Sequence, residues 1–324
     1  MVFCPIVKHI GMTASLLLFS LFGCRELQRT IPHYTMRVIA QGPARAVSWA
    51  PDGMLYVVSS RQLWRISPAG ATSSWDPLQG WSVHEQKANS AIALRKPATR
   101  LHELQNGWAI STSPQGRMAI ADADANRIWE AATASEPLKA LAGTGTNFYP
   151  IGDKGLAIAA QLNKPRGVAW TADGSLLISD SDNHRVRRVG RDGRISTIAG
   201  TGLAGDLGDG FSASKATLSI PECLAISIDG SVLVADRGHH RIRRISQTGQ
   251  ITTFHLLDVS GLTVDRTGLI FASAGKSVKA FSAGKPLEIA NNLHGPAGLA
   301  AAPDGRIAVA DLDRVLLLLP GEIR

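Results

Sequence analysis

An aspartate followed four and five residues later by a histidine and an arginine occurs twice in this sequence, as Asp180, His184 and Arg185 and again as Asp236, His240 and Arg241. Two chemistries suit such a set. A carboxylate accepting from a guanidinium or an imidazole across a short connection forms a charge-assisted hydrogen bond, which would staple two chain segments together. Alternatively His184, His239 and His240, gathered at one point, could hold zinc or calcium as a cofactor. The set recurs once per repeat, whereas catalysis needs one constellation, so stapling accounts better for the pattern. Adjacent residues of an extended chain also point to opposite sides, which separates His239 from His240. There is no nucleophile elbow, P-loop, dinucleotide fingerprint or His-Glu-x-x-His motif. The glycine-rich stretches 143–155 and 200–210 lack the Lys-Ser/Thr of a phosphate cradle and read as connections.

The elements that must carry these residues announce themselves by recurrence. Turns ending at Gly53, Gly116, Gly174, Gly230, Gly268 and Gly305 are each followed by a short apolar run, such as Leu176-Leu-Ile-Ser179 or Val232-Leu-Val-Ala235. Asp-Gly and related pairs supply the positive φ of tight hairpins. The runs are apolar at successive positions, so both faces of the strand must be covered. A fixed period of units that cannot bury their own faces is the mark of a repeat architecture. The expected fold is therefore all-β: a six-bladed β-propeller of four-stranded antiparallel blades. The sixth copy shows three strands, and segment 34–40 is unassigned, so an N-terminal strand is expected to complete the last blade beside 314–319 and remove its open edge. The spacing of the turn glycines shrinks from 63 to 37 residues, and the excess falls in 72–106, 143–164 and 200–220. These are expected to be loops on one end, with Trp75, Trp81 and Trp108 as candidate ligand anchors.

The second half of the chain resembles the NHL-repeat family. The residues carrying the resemblance are Gly143-Thr-Gly145, Gly152-Asp153, Leu162, Pro165, Asp173-Gly174, Asp180, Asn183-His184-Arg185 and Ile198-Ala-Gly200. A second copy has Gly200-Thr-Gly202, Gly208-Asp-Gly210, Leu218, Pro221, Asp229-Gly230, Asp236 and His239-His-Arg241. The other four copies are degenerate, with Asp122 and Asn126-Arg127 in one and Asp311 with Arg314 in another. The resemblance implies a propeller, and the family holds RNA-binding modules, protein-binding modules, sensor ectodomains and a few enzymes, including lyases that hold zinc by histidines.

Residues 1–23 read as a signal peptide, with an apolar core at 13–22 too short to span a bilayer. Leu21-Phe-Gly-Cys24 resembles a bacterial lipobox, with Phe22 as its departure. The resemblance implies a lipid on Cys24, a tether at 24–33, a propeller at 34–324 and a membrane-anchored place in the cell envelope. Arg25 where Asp would signal inner-membrane retention points to the outer membrane. Of three cysteines, Cys4 and Cys24 are then accounted for, and Cys223 is left in an apolar strand as a small buried hydrophobe. The net charge of +8 favours anionic partners. Much of it lies at matching repeat positions, where arginine stems would pack between blades and guanidiniums reach water. Export and the lack of interleaved aromatics argue against nucleic acid. The expected function is a monomeric, non-enzymatic scaffold for a protein, peptide or glycan at the envelope. The alternative is a metal-dependent lyase or lactone hydrolase working in the central channel.

Overall fold

The computed structural model describes residues 31–59, 62–76, 80–84, 105–131, 136, 138–147, 152–282 and 284–321. Cys24, the expected signal peptide at 1–23 and most of the expected tether at 24–33 lie outside them. Six antiparallel sheets follow one another around a ring. Blade 3 is the pattern for the others: Pro165–Trp170 innermost, then Leu176–Asp180, Arg185–Val189 and, outermost, Ile195–Ala199. The second strands Leu55–Ser59, Met118–Asp122, Leu176–Asp180, Val232–Asp236 and Ile307–Asp311 are buried at every position. That burial is the reason their runs are apolar without alternation: each blade is covered by a neighbour on both sides.

The last blade closes as expected. Strand Tyr34–Gln41 pairs antiparallel with Arg314–Pro320, from Tyr34 opposite Pro320 to Gln41 opposite Arg314, with a bulge between Val38 and Ala40. The Tyr34 ring meets Phe271 of blade 5 edge-on at 6.0 Å, and burial pushes its phenol up to about 12. The closing strand therefore ties two blades as well as completing one.

Two expectations need correction. Blade 1 is five-stranded, because Thr72–Asp76 pairs with a further strand, Gly80–His84, so part of the expected loop 72–106 is sheet. Thr and Trp in the first segment and Trp and Val in the second favour a pleated surface. The segments 143–164 and 200–220 are wedges between blades. Ala157, Ala160 and Leu162 enter the core between blades 2 and 3, and Ala213, Ala216 and Leu218 that between blades 3 and 4, all 0–1 % exposed. Gly143 and Gly200 sit against the preceding blade so closely that a Cβ would meet Asn126 O at 2.3 Å and His184 O at 2.2 Å. Gly-Thr-Gly is thus a requirement of close approach.

The inner strands approach one another just as tightly. A Cβ on Gly167 would stand 1.9 Å from Glu222 O of the next blade, and one on Gly261 2.0 Å from Ala297 O. The ring around the channel is narrow for that reason, and this narrowness brings the site together.

Candidate functional site

The inner strands share one register: a variable residue, a small residue, then an aliphatic one. The small positions are Ala46, Ala109, Gly167, Cys223, Gly261 and Gly298, and the aliphatic ones Val47, Ile110, Val168, Leu224, Leu262 and Leu299. The variable positions are Arg45, Trp108, Arg166, Glu222, Ser260 and Ala297, one from each blade. All eighteen residues line a cavity of ≈ 470 Å³ at one mouth of the channel, joined by Arg237, Asp258, Gly275 and Leu312 from the surrounding turns. Its size falls in the range of small-molecule sites.

One side of this cup is a linked cationic arc. The Arg45 guanidinium carbon lies 4.3 Å from the Trp108 ring centroid, and that of Arg166 lies 5.1 Å from it, both within cation–π range. Arg166 Nη1 donates to Glu222 Oε1 at 3.1 Å, and Arg237 Nη1 donates to both carboxylate oxygens at 2.9 Å. Arg166 Nη2 also lies 3.4 Å from Asp182. Glu222 is buried, and its hydrogen bond and charge hold the Arg237 pKa above its ordinary value. Arg45 is less well matched. Among the described residues its side-chain hydrogen bond is a long one, 3.4 Å to Asn106 Oδ1, and burial lowers its pKa against the pull of Asp124 and Glu222. The other side of the cup is neutral: Ser260, Ala297, Gly275 and Leu312. Cys223 also faces the cavity, its Sγ 2.7 Å from Ser260 O. Burial, with Glu222 beside it, pushes its thiol up to about 12, so it is no ready nucleophile.

The aspartates that drew attention in the sequence do structural work next to the cup. Asp122, Asp180, Asp236 and Asp311 end the second strands of four blades and are fully buried. Each accepts backbone N–H groups from the segment that leads into its own blade: Gln105 and Asn106, Asn163, Ser219, and His294 and Gly295, at 2.6–2.8 Å. In three blades the other oxygen accepts from an arginine, Arg187, Arg241 or Arg314, whereas in blade 2 Trp129 Nε1 shares Asp122 Oδ2 with Gln105 N. The staple is real, but its Arg185 member is misassigned. Arg185 reaches Thr201 O at 2.6 Å, and Arg187, two residues on and on the same face, takes its place beside Asp180. In blade 4 Arg241 itself donates to Asp236, at 3.0 Å. His184 and His240 take no part, while His239 Nδ1 lies 3.9 Å from Asp236 Oδ2. His184 and His240 adopt the left-handed backbone, His184 Nδ1 accepts from Ile220 N, and His240 Nδ1 lies 3.3 Å from Asp258.

Residues 40–206 match the family described as the teneurin NHL domain, and residues 218–245 match the NHL repeat. This chain belongs to the NHL family. The NHL repeat-containing protein 2 of Bos taurus is 29 % identical over 163 residues, 48 % of this chain and 22 % of the relative. Protein SUPPRESSOR OF QUENCHING 1, chloroplastic, of Arabidopsis thaliana is 32 % identical over 161 residues, 47 % of this chain and 15 % of that protein. Mouse Teneurin-3 is 34 % identical over 113 residues, 31 % of this chain and 4 % of its own length. The chain thus spans less than a quarter of these relatives. Among solved structures, a gluconolactonase from Xanthomonas campestris superposes with TM-score 0.63 at 15 % identity, covering 90 % of this chain and 96 % of its own. A streptogramin B lyase follows at 0.57 and 11 %, covering 89 % and 98 %. These two likenesses concern the propeller fold.

Against this NHL propeller, the expected site residues separate. Trp108 opens an inner strand and stands in the cup. Trp75 and Trp81 are paired in backbone register on the two outermost strands of blade 1, far along the sheet from the channel. The expectation that the arginine heads reach water also fails for two of them. Arg187 and Arg243 are entirely buried and bridge Asp180 to Asp153 and Asp236 to Asp209, pinning the two wedges to their blades. The cup residues Arg45, Arg166, Glu222 and Arg237 were missed. For Arg166 and Glu222 the signal was the position after proline in Pro165-Arg-Gly-Val and Pro221-Glu-Cys-Leu, constant in place and variable in type, whereas neither Arg45 nor Arg237 directly follows a proline. Among the described residues one set of three metal-capable side chains converges, His294, Asp311 and Asp313, with ligand atoms within 4.8 Å. Its Asp311 is already engaged by two backbone N–H groups and by Arg314, so the set fits a cation poorly.

Proposed function

We propose that this NHL propeller is an envelope-anchored, non-enzymatic binding module whose ligand, a protein, peptide or glycan end, enters the cup at the channel mouth. One observation carries the reading: the arc Arg45–Trp108–Arg166–Glu222–Arg237 lines one wall of an open cavity whose opposite wall is neutral. Fixed charge and an aromatic ring on one wall give orientation as well as affinity. Of the groups in the cup that could react, Glu222 is occupied by two arginines and the Cys223 thiol is held protonated. In this reading the net charge serves the envelope setting and not nucleic acid. A benzophenone side chain introduced at Leu312, an exposed residue of the cup, is expected to crosslink a specific partner in cells. The same group at exposed Leu287, on the outer strand of blade 5, is the control. Equal capture at both positions would refute the site.

Anchoring is part of the proposal. Lipid on Cys24 places the module on a membrane through several acyl chains, each buried methylene contributing roughly 0.8 kcal/mol. A palmitate analogue should label the wild type and leave Cys24→Ser unlabelled; label retained on that variant would refute the anchor. The metal-dependent lyase or lactone hydrolase remains the second reading, and its best ligand set here is His294 with Asp313. Zinc or calcium that raised the melting temperature of the wild type and not of His294→Ala would favour it.

A further inference from the structure

The cup has a floor as specific as its wall. Val47, Ile110, Val168, Leu224, Leu262 and Leu299 form an aliphatic ring, one residue per blade, and each is 4–8 % exposed, so their edges meet the cavity. This ring offers no hydrogen-bond partner. Two of the acceptors above it are spent, since Glu222 is shared by Arg166 and Arg237 and Ser260 Oγ donates to Pro296 O at 2.7 Å, and the third, Asp258, stands half exposed beside His240. A hydroxyl-rich sugar seated here would lose its hydration without replacement. A doubly charged phosphate would meet Glu222 and Asp258 in the same wall. Arg45, in contrast, is a partly desolvated cation flanking Trp108, and its long bond to Asn106 leaves donors for an incoming anion.

We propose that the cup binds an amphipathic carboxylic acid, with a single carboxylate held by Arg45 beside Trp108 and an apolar group resting on the aliphatic ring. The inference rests on the reading of the cup as the ligand site and assigns the chemistry of what enters it. The planar guanidinium suits a carboxylate because it offers two parallel donors. Burial of Arg45, with its lowered pKa, leaves it charged at neutral pH while raising the benefit of gaining an anion. The remaining arginines are not needed for this step, since Glu222 and Asp182 already neutralise them.

N-acetyl-leucine is the probe, titrated into the full chain by calorimetry and followed by tryptophan fluorescence. It is expected to bind in the millimolar range or tighter, with N-acetyl-leucinamide at least about tenfold weaker because it lacks the charge-assisted contact. N-acetylglycine, lacking the apolar group, should also be several-fold weaker, and inorganic phosphate should not compete. Arg45→Met should cost the acid about tenfold and leave the amide unchanged, while Arg45→Lys restores part of the loss. Equal affinity for acid and amide, or no saturation by about 20 mM, overturns the proposal. So does an Arg45→Met chain that keeps the wild-type melting temperature and full affinity for the acid. Crosslinking from Leu312 separates the two levels: partner capture with no acid binding sinks this inference and leaves the binding module standing, whereas loss of both sinks both.

Discussion

Replacing Arg187 with methionine should be among the most damaging single substitutions in the blades. The guanidinium is fully buried, with Nη1 3.0 Å from Asp180 Oδ2 and Nη2 2.7 Å from Asp153 Oδ1. Asp180 is itself fully buried, and burial raises its pKa against Asn163 N–H, Asn183 and Arg187. Methionine fills much of the volume but leaves that carboxylate to neutral donors, Asn163 N at 2.8 Å and Asn183 Nδ2 at 2.9 Å. Breaking a buried pair from one side costs about 3–5 kcal/mol, since a buried charge is left uncompensated. For a domain of roughly 290 residues, unfolding entropy near 0.6 kcal/mol/K converts this to a fall of about 5–8 °C in melting temperature. Arg188 supplies the contrast, because it pairs with Asp173 where both side chains are about half exposed, and Arg188→Met should cost under about 1 kcal/mol. Scanning calorimetry with urea titration of both variants decides the matter. An Arg187→Met chain melting within about 2 °C of wild type, or no worse than Arg188→Met, would refute the reasoning.

Gly167→Ala puts a Cβ against Glu222 O, a backbone atom, and should cost about 3 kcal/mol or prevent folding, whereas Gly193→Ala, with positive φ but open space, should cost about 1 kcal/mol. Chemical denaturation of the two checks this, and equal costs would contradict the close approach of the inner strands. Asp173 is held at about 2 by Thr171, the Ser175 N–H and Arg188, and Asp229 is also at about 2, where burial is outweighed by Ser231 and Arg244. Both folded values lie below the unfolded one, so their stabilisation is present above about pH 4 and is lost as pH falls toward 2. Asp173→Asn combined with Asp229→Asn should therefore flatten the fall in melting temperature between about pH 5 and 2.5; an unchanged slope would be the contrary result.

Much of the propeller could be read before any coordinates. Fully apolar second strands, turn glycines and an orphan strand at 34–40 are local facts, and each has one economical solution in a ring. The five-stranded blade was not legible in the same way, because 80–84 becomes a strand only by adding to an edge that the rest of blade 1 provides. The arginine beside Asp180 was ambiguous for a simple reason: Arg185 and Arg187 share a face of one strand, so spacing alone cannot choose between them. The wedge at 200–220 resolves it, since Thr201 O takes Arg185 and leaves the buried slot to Arg187.

The residues themselves determined the blades, the hairpins, the closing strand and the tight inner ring, because these rest on apolar periodicity and on glycine at defined φ or close approach. Only tertiary structure decided the cup. Arg45, Trp108, Arg166, Glu222 and Arg237 are of three residue types, lie nearly 200 residues apart from first to last, and are joined by their place in or beside an inner strand. A repeat pattern is recognised by what stays the same, whereas a site at the axis of a closed ring is built from the positions that are free to vary.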